Sequence, residues 1–363
     1  MKLSLVSALL MALVLACFAT PARSATINGQ NYVPLSNWAG ANGMTAFWLR
    51  RGEEVALTNR TTRLVFEKDS HTATINGVNV ALSFPLAVDK GAPLIAQFDL
   101  DNSIRPLLFP SSYIAPAKIT TICLDPGHGG KDHGYQVGGL FSHYEKAYTL
   151  PLALELSNQL KQAGFKVILT RSSDTFVDLP RRPAIANAAR ADLFVSLHFN
   201  ASPSDPKNVA GPETYSITPV GAASSNAQGE GADHGATAAN RVEKKSLLFA
   251  YQIQKSLVQN LGMNDRSVRR ARFAVLRDAQ MPAILIEGGY MTNPTESKKI
   301  YDAAWRRQMA AAIVKGILSY QKLTAPAVPP STPVNRVPTT TPPSSQRSGN
   351  PSSLGATPAR RSG

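Results

Sequence analysis

The stretch that most constrains this chain is residues 118–130, Lys-Ile-Thr-Thr-Ile-Cys-Leu-Asp-Pro-Gly-His-Gly-Gly. Residues 119–124 are apolar or β-branched and end abruptly at Asp125-Pro126-Gly127, with His128 next. The pattern predicts a buried strand whose carboxyl end delivers a polar side chain into a turn. In open α/β sheets, strand ends of this kind are where ligands bind.

Downstream of this strand, the sequence alternates strand and helix. Residues 149–163 set Leu152, Leu156, Leu160 and Ala163 on one helical face and stop at Gly164, a fitting cap. Residues 165–170 read as the next strand. Asp178 is expected to cap a helix that enters through Pro180 and continues past Ile185 and Ala189. Residues 192–197 then form a third buried strand, ending at His198. Further strands are expected at 272–276 and 283–286, with helices near 246–261 and 303–321. The alternation predicts an α/β catalytic domain over residues 117–323, a mostly parallel twisted sheet flanked by helices.

Residues 26–116 follow another rule. Short alternating runs at 32–35, 54–57, 63–66, 72–75 and 80–82 are separated by turn signals, among them Asn76-Gly77, a strong two-residue hairpin signal. A small β-rich accessory or targeting domain is expected, with one helix near 35–43. Residues 219–239 are rich in Gly, Ala, Ser and Asn without periodicity and read as an inserted mobile loop close in sequence to His198, with a gate over a site and a tolerated surface insertion as its two readings. Residues 324–363, dominated by Pro, Ser, Thr and Arg, cannot bury a core and read as a disordered basic tail.

Residues 1–24 combine a basic start, a short apolar run and an Ala22-x-Ser24 site, the pattern of a secretory signal peptide. Val14-Leu15-Ala16-Cys17 is a loose lipobox, but ordinary cleavage is the better fit, which leaves the mature chain without a membrane span and in the periplasm or cell envelope. After cleavage Cys123 is the only cysteine, so no intramolecular disulfide can form and stability must come from a core. With 38 Lys+Arg against 24 Asp+Glu the formal net charge is +14, which favours an acidic polymeric partner. Nucleic acid is excluded by secretion and by the lack of basic runs interleaved with aromatics; a cell-wall glycan fits.

Three residues can be assembled from strand ends and a helix start: His128, Glu145 and His198. Two neutral imidazoles and one carboxylate form the ligand set of a catalytic zinc site, with a fourth position open. Glu287 closes the apolar run at 283–286 and precedes Gly288-Gly289. A carboxylate there is costly unless used or paired, and it is expected to shuttle the proton of an attacking water. His133 and His143, in the same Gly-rich loop region, stand as rival ligands. Cys123 is expected to point away from Ile122 and Leu124 and to pack.

These residues carry a family resemblance. Asp125-Pro-Gly-His-Gly-Gly130, Glu145-Lys146, Arg182 with Ile185-Ala186-Asn187, Asp192-Leu-Phe-Val-Ser-Leu-His-Phe-Asn-Ala201, Gly211-Pro-Glu-Thr-Tyr215 and Ile286-Glu-Gly-Gly-Tyr-Met-Thr-Asn293 resemble the zinc-dependent N-acetylmuramoyl-L-alanine amidases of bacterial cell-wall turnover. The resemblance runs in order from about 119 to 321. It implies hydrolysis of the amide joining N-acetylmuramic acid to L-alanine in peptidoglycan, with Zn2+ on His128, Glu145 and His198 and Glu287 as the catalytic carboxylate. Some relatives block the zinc with a regulatory helix placed where this chain has its glycine-rich 219–239 stretch. This chain departs from the family pattern at His133, at Phe199 and at Tyr290, where phenylalanine is usual. Residues 26–116 resemble the copper-amine-oxidase N-terminal-like domain of envelope proteins, which implies contact with an envelope activator or scaffold. A zinc peptidase or deacetylase acting on another wall bond, and a non-catalytic wall-binding protein, are the competing readings; Glu287 with all three ligands argues against the last.

Overall fold

The computed structural model describes residues 23–138, 143–226, 231 and 235–326. Residues 1–22 of the expected signal peptide with Cys17, part of the 219–239 loop with His234, and nearly all of the tail lie outside the described residues. The described residues between 23 and 326 belong to one compact unit.

The N-terminal segment runs β1 (Ala25–Ile27), β2 (Gln30–Pro34), α1 (Leu35–Ala41), β3 (Thr45–Arg50), β4 (Glu54–Thr58), β5 (Arg63–Glu67), β6 (Thr72–Ile75), β7 (Val78–Ala81), β8 (Ala87–Asp89) and β9 (Ala92–Ala96). Strands β3 to β7 form an antiparallel meander. Asn76 and Gly77 both take positive φ, 47° and 79°, so β6 and β7 close through the tight turn that the dipeptide predicts. A run of short helical turns over residues 97–113 was not anticipated. There Leu100, Ile104 and Leu107 bury at helical spacing, but Pro106 and Pro110 interrupt the pattern.

The second half continues with β10 (Thr121–Pro126), a two-residue ladder of β11 (Gln136–Val137) and β12 (His143–Tyr144), α2 (Lys146–Gln162), β13 (Lys166–Leu169), α3 (Arg181–Ala188), β14 (Leu193–Asn200), β15 (Glu213–Ser216), α4 (Glu243–Leu261), β16 (Val268–Arg270), β17 (Ala283–Tyr290), α5 (Pro294–Tyr301) and α6 (Ala303–Thr324). The sheet order is β13-β10-β14-β17-β15-β16-β7-β6-β5-β4-β3, so the meander extends the α/β sheet without a break. Within the α/β part every neighbouring pair is parallel except β15 with β17. The two halves meet at Val80 opposite Val268, reinforced by Asn79 N–H donating to Asp265 Oδ2 at 2.5 Å and the Tyr251 hydroxyl donating to the Ile75 carbonyl at 2.9 Å.

Two readings are corrected. The strand expected at 272–276 lies earlier, at Val268–Arg270, while Ala274–Arg277 is a helical turn that buries Val275 and Leu276. A short apolar run does not reveal its own period. Asp178 does not cap α3: the cap position is Pro180, with no side-chain bond, and Asp178 gives its backbone carbonyl to Arg181 N–H.

The central strands are apolar on both faces because both are covered. Ile122 and Leu124, Val195 and Leu197, and Ile284 and Ile286 face the main core with α2, α4 and α6. Cys123, Phe194, Ala283 and Leu285 face a smaller second core with Ala186, Val275 and Leu276. Cys123 is fully buried there, as strand alternation predicts, and burial pushes its thiol up to about 12. The smaller core stops short of the carboxyl ends of the strands, and from that same face the polar side chains emerge.

Candidate metal centre

Counting by twos along each strand from this second core leads to Asp125 on β10 and Gly127 just past its end, Ser196 and His198 on β14, and Glu287 on β17. The register aligns them: Asp125 lies opposite Ser196, His198 opposite Glu287, and Glu287 opposite Glu213 at the start of β15. Glu145 enters from above, at the cap position of α2. Its Oε2 lies 2.9 Å from His128 Nε2 and its Oε1 2.9 Å from His198 Nδ1. One ligand atom from each of His128, Glu145 and His198 falls within 4.8 Å of the others, and among the described residues these three are the group able to hold a metal ion.

The cluster is built for close approach. A Cβ on Gly127 would sit 2.3 Å from His198 Cε1, and one on Gly134, whose φ is +66°, would sit 2.7 Å from Glu145 Oε2. His128 itself has φ 60°, a conformation that costs an L-residue about 1–2 kcal/mol. Its carbonyl accepts a hydrogen bond from Arg182 Nη2 at 2.9 Å, which helps to hold the turn. Arg182 is nearly fully buried and reaches Asp125 Oδ1 at 2.9 Å, while Asp125 also accepts from the hydroxyls of Thr170 and Ser196 at 2.6 and 2.8 Å.

Charge is finely divided here. Burial pulls the His128 imidazole down, but hydrogen bonds and charge from Glu145 and Asp132 outweigh it and raise the group above 6.5. Burial likewise pushes Glu145 up, and the bonds from His128 and His198 more than reverse it, leaving a carboxyl well below its usual range. Glu287 has no such relief. Burial, then the charges of Glu145 and Glu213, raise it well above 4.5, and its Oε2 is shielded without a hydrogen-bond partner. An orphaned carboxylate oxygen facing a metal-ligand cluster is poised to accept a proton from a molecule bound between them.

The rival histidines lie elsewhere. His133 tilts against the Tyr144 ring at 4.6 Å, and His143 stacks on Tyr301 at 3.9 Å while bonding the Tyr148 hydroxyl. Two contributors had no role assigned from sequence. Asp132 Oδ1 lies 2.9 Å from His128 Nδ1, and the His-x-x-x-Asp spacing could have flagged it. Glu213 is 2% exposed and opposes Glu287; the signal was a carboxylate at the head of the strand-like run 214–218. No α-helix occurs among the described residues between β15 and α4.

Residues 122–319 match the family described as N-acetylmuramoyl-L-alanine amidase. The chain is 36% identical over 202 residues to the N-acetylmuramoyl-L-alanine amidase LytC of Bacillus subtilis, covering 56% of this chain and 36% of the relative. It is 36% identical over 272 residues to the amidase AmiC of Neisseria meningitidis serogroup B, covering 65% and 64%. Among solved structures, an N-acetylmuramoyl-L-alanine amidase from Clostridium difficile 630 is 33% identical, with a TM-score of 0.47 over 57% of this chain and 98% of that one. The chain thus spans just over a third of LytC and just under two thirds of AmiC.

Proposed function

Because this chain belongs to the N-acetylmuramoyl-L-alanine amidase family, we propose that it is a secreted, zinc-dependent enzyme that hydrolyses the amide between N-acetylmuramic acid and L-alanine in peptidoglycan. The observation that carries the reading is the convergence of His128, Glu145 and His198 within 4.8 Å, with Glu287, whose Oε2 has no hydrogen-bond partner, directly across from His198. The donor set, two imidazoles and a carboxylate, suits zinc, and Gly127 and Gly134 leave room that any side chain would fill. His128, Glu145 and His198 would hold the ion, and Asp132 would fix the orientation of His128 through Nδ1. When bound, zinc supplies Lewis-acid chemistry: it polarises a carbonyl, lowers the pKa of water toward about 7 and offsets the repulsion among the surrounding carboxylates.

Glu287 does the proton work. It takes a proton from water as the water oxygen attacks the scissile carbonyl carbon. It then returns that proton to the departing nitrogen as the C–N bond breaks, leaving a carboxylic acid on the lactyl group and a free amine on the alanine. Residues 26–116 would contact glycan or an envelope activator, and secretion places the enzyme beside its substrate.

Digestion of purified peptidoglycan, followed by mass spectrometry of the soluble products, tests the reading. Free stem peptides with an alanine amino terminus are expected, and they should disappear on chelation and return with zinc. A peptidase would release shorter peptides, and a deacetylase would release acetate; either product in place of intact stems overturns the amidase reading.

A further inference from the structure

Beside Glu287 lies a group of charges that proton transfer does not use. Glu213 Oε1 accepts hydrogen bonds from Arg266 Nε at 3.0 Å and the Tyr290 hydroxyl at 2.8 Å, with Arg269 Nη2 at 3.4 Å. Its Oε2 accepts from the Tyr215 hydroxyl at 2.7 Å and Asn200 Nδ2 at 3.2 Å. One buried carboxylate is therefore satisfied several times over, and two guanidiniums share it. Arg266 and Arg269 thus both lie against Glu213.

Of the two, Arg266 is the more firmly placed. Arg266 stacks over the Tyr290 ring, 5.2 Å from its centroid, and its Nε is anchored to Glu213 and to the Tyr290 hydroxyl at 3.2 Å. Among the described residues Nη1 and Nη2 make no hydrogen bond, and the side chain is 31% exposed. The turn that carries it is also held. Ser267 takes φ 87°, its N–H donates to Asp265 Oδ1 at 2.9 Å, and Asp265 is bound in turn by Gln254 and Asn79. A fixed guanidinium with two free, coplanar donor groups fits a carboxylate better than it fits water or an amide.

We propose that Arg266 is the receptor for a free carboxylate on the peptide side of the scissile amide. The assignment rests on the amidase reading. Direction follows from the row His198–Glu287–Glu213, in which neighbouring strands stand roughly 4.8 Å apart. The departing nitrogen must reach Glu287 to receive its proton, so the peptide that begins at this nitrogen starts beside Glu287. Continuing away from the metal ligands, it passes Glu213 and meets Arg266. Tyr290, where the family pattern has phenylalanine, adds the hydroxyl that ties Arg266 to Glu213 and so stiffens the receptor.

Two substrates separate the possibilities: N-acetylmuramoyl-L-alanyl-D-glutamyl peptides, γ-linked, with the glutamyl α-carboxylate either free or amidated. The zinc-loaded full chain is expected to prefer the free acid by about tenfold or more in kcat/KM, mainly through KM. Arg266→Gln should bring that ratio close to one, and Arg266→Lys should leave an intermediate preference. The ratio is internal to each variant, so partial misfolding does not move it. Calorimetry with the two released peptides should show the same ranking without turnover. Cleavage of both substrates with equal efficiency, or a preference that survives Arg266→Gln, overturns the Arg266 assignment and leaves the amidase reading standing. Cleavage of neither by the unaltered protein overturns both.

Discussion

Asp125→Ala tests how the fold holds its site. Asp125 is fully buried and is the carboxylate paired with Arg182, itself 1% exposed. Removing it leaves a buried guanidinium whose remaining partners are the carbonyls of Pro126, Val177 and His128, which supply hydrogen bonds but no counter-charge. Breaking a buried pair by deleting one partner costs about 3–5 kcal/mol. The retained carbonyl bonds favour the lower end, about 3, and the two hydroxyls of Thr170 and Ser196 that lose their acceptor add about 1 kcal/mol together. The total, about 4 kcal/mol, is a large part of the roughly 5–15 kcal/mol that holds a typical domain. With a urea slope of about 3 kcal/mol/M, the unfolding midpoint should fall by about 1.3 M. Zinc affinity should fall as well, because Arg182 steadies the left-handed His128. The double variant Asp125→Ala/Arg182→Met should recover much of the stability, since no unpaired charge remains, but not the metal affinity. A midpoint shift below about 0.3 M for Asp125→Ala would mean that Arg182 is solvated in place and would refute the reasoning.

Three further outcomes are expected. Glu287→Gln should reduce wall digestion by roughly 10²–10⁴-fold while stabilising the metal-free protein above pH 4.5, because a carboxyl whose folded pKa is raised loses stability as pH climbs past its unfolded value; thermal melts and turnover measured on the same preparation would contradict this if both fell together. Asp132→Asn should weaken zinc binding about 10–100-fold with little change in fold, measured by competition with a chelating dye. For the metal-free protein, the raised His128 gives stability that is complete below pH 6.5 and is lost as pH rises through its folded pKa. The depressed Glu145 gives stability that is complete above pH 4.5 and is lost as pH falls through its folded pKa. The stability gap between the parent and Glu145→Gln should therefore be widest between pH 4.5 and 6.5 and close on both sides; a gap that is flat with pH would count against the pairing.

Much of this site was legible in the chain because its parts are local. His128 and His198 follow apolar runs that read as buried strands, and Glu287 follows a third; strand alternation sent Cys123 into the second core, two residues before Asp125 on the site's side of the sheet. The rivals His133 and His143 could not be dismissed that way, since both lie in a loop region, where spacing carries no direction. Only the folded chain, tilting one against Tyr144 and stacking the other on Tyr301, separates them from His128 and His198.

What the sequence by itself determined is the set of chemical groups and the strand ends that carry them, because burial period and turn chemistry are properties of neighbouring residues. What only the tertiary structure decided is which groups face one another. Glu213 opposite Glu287, Asp125 beneath Arg182, and a β-rich segment sharing the catalytic sheet through Val80 and Val268 all depend on pairing between distant strands. Register is set by the joint burial of both faces of the sheet, a condition that no single stretch of sequence expresses.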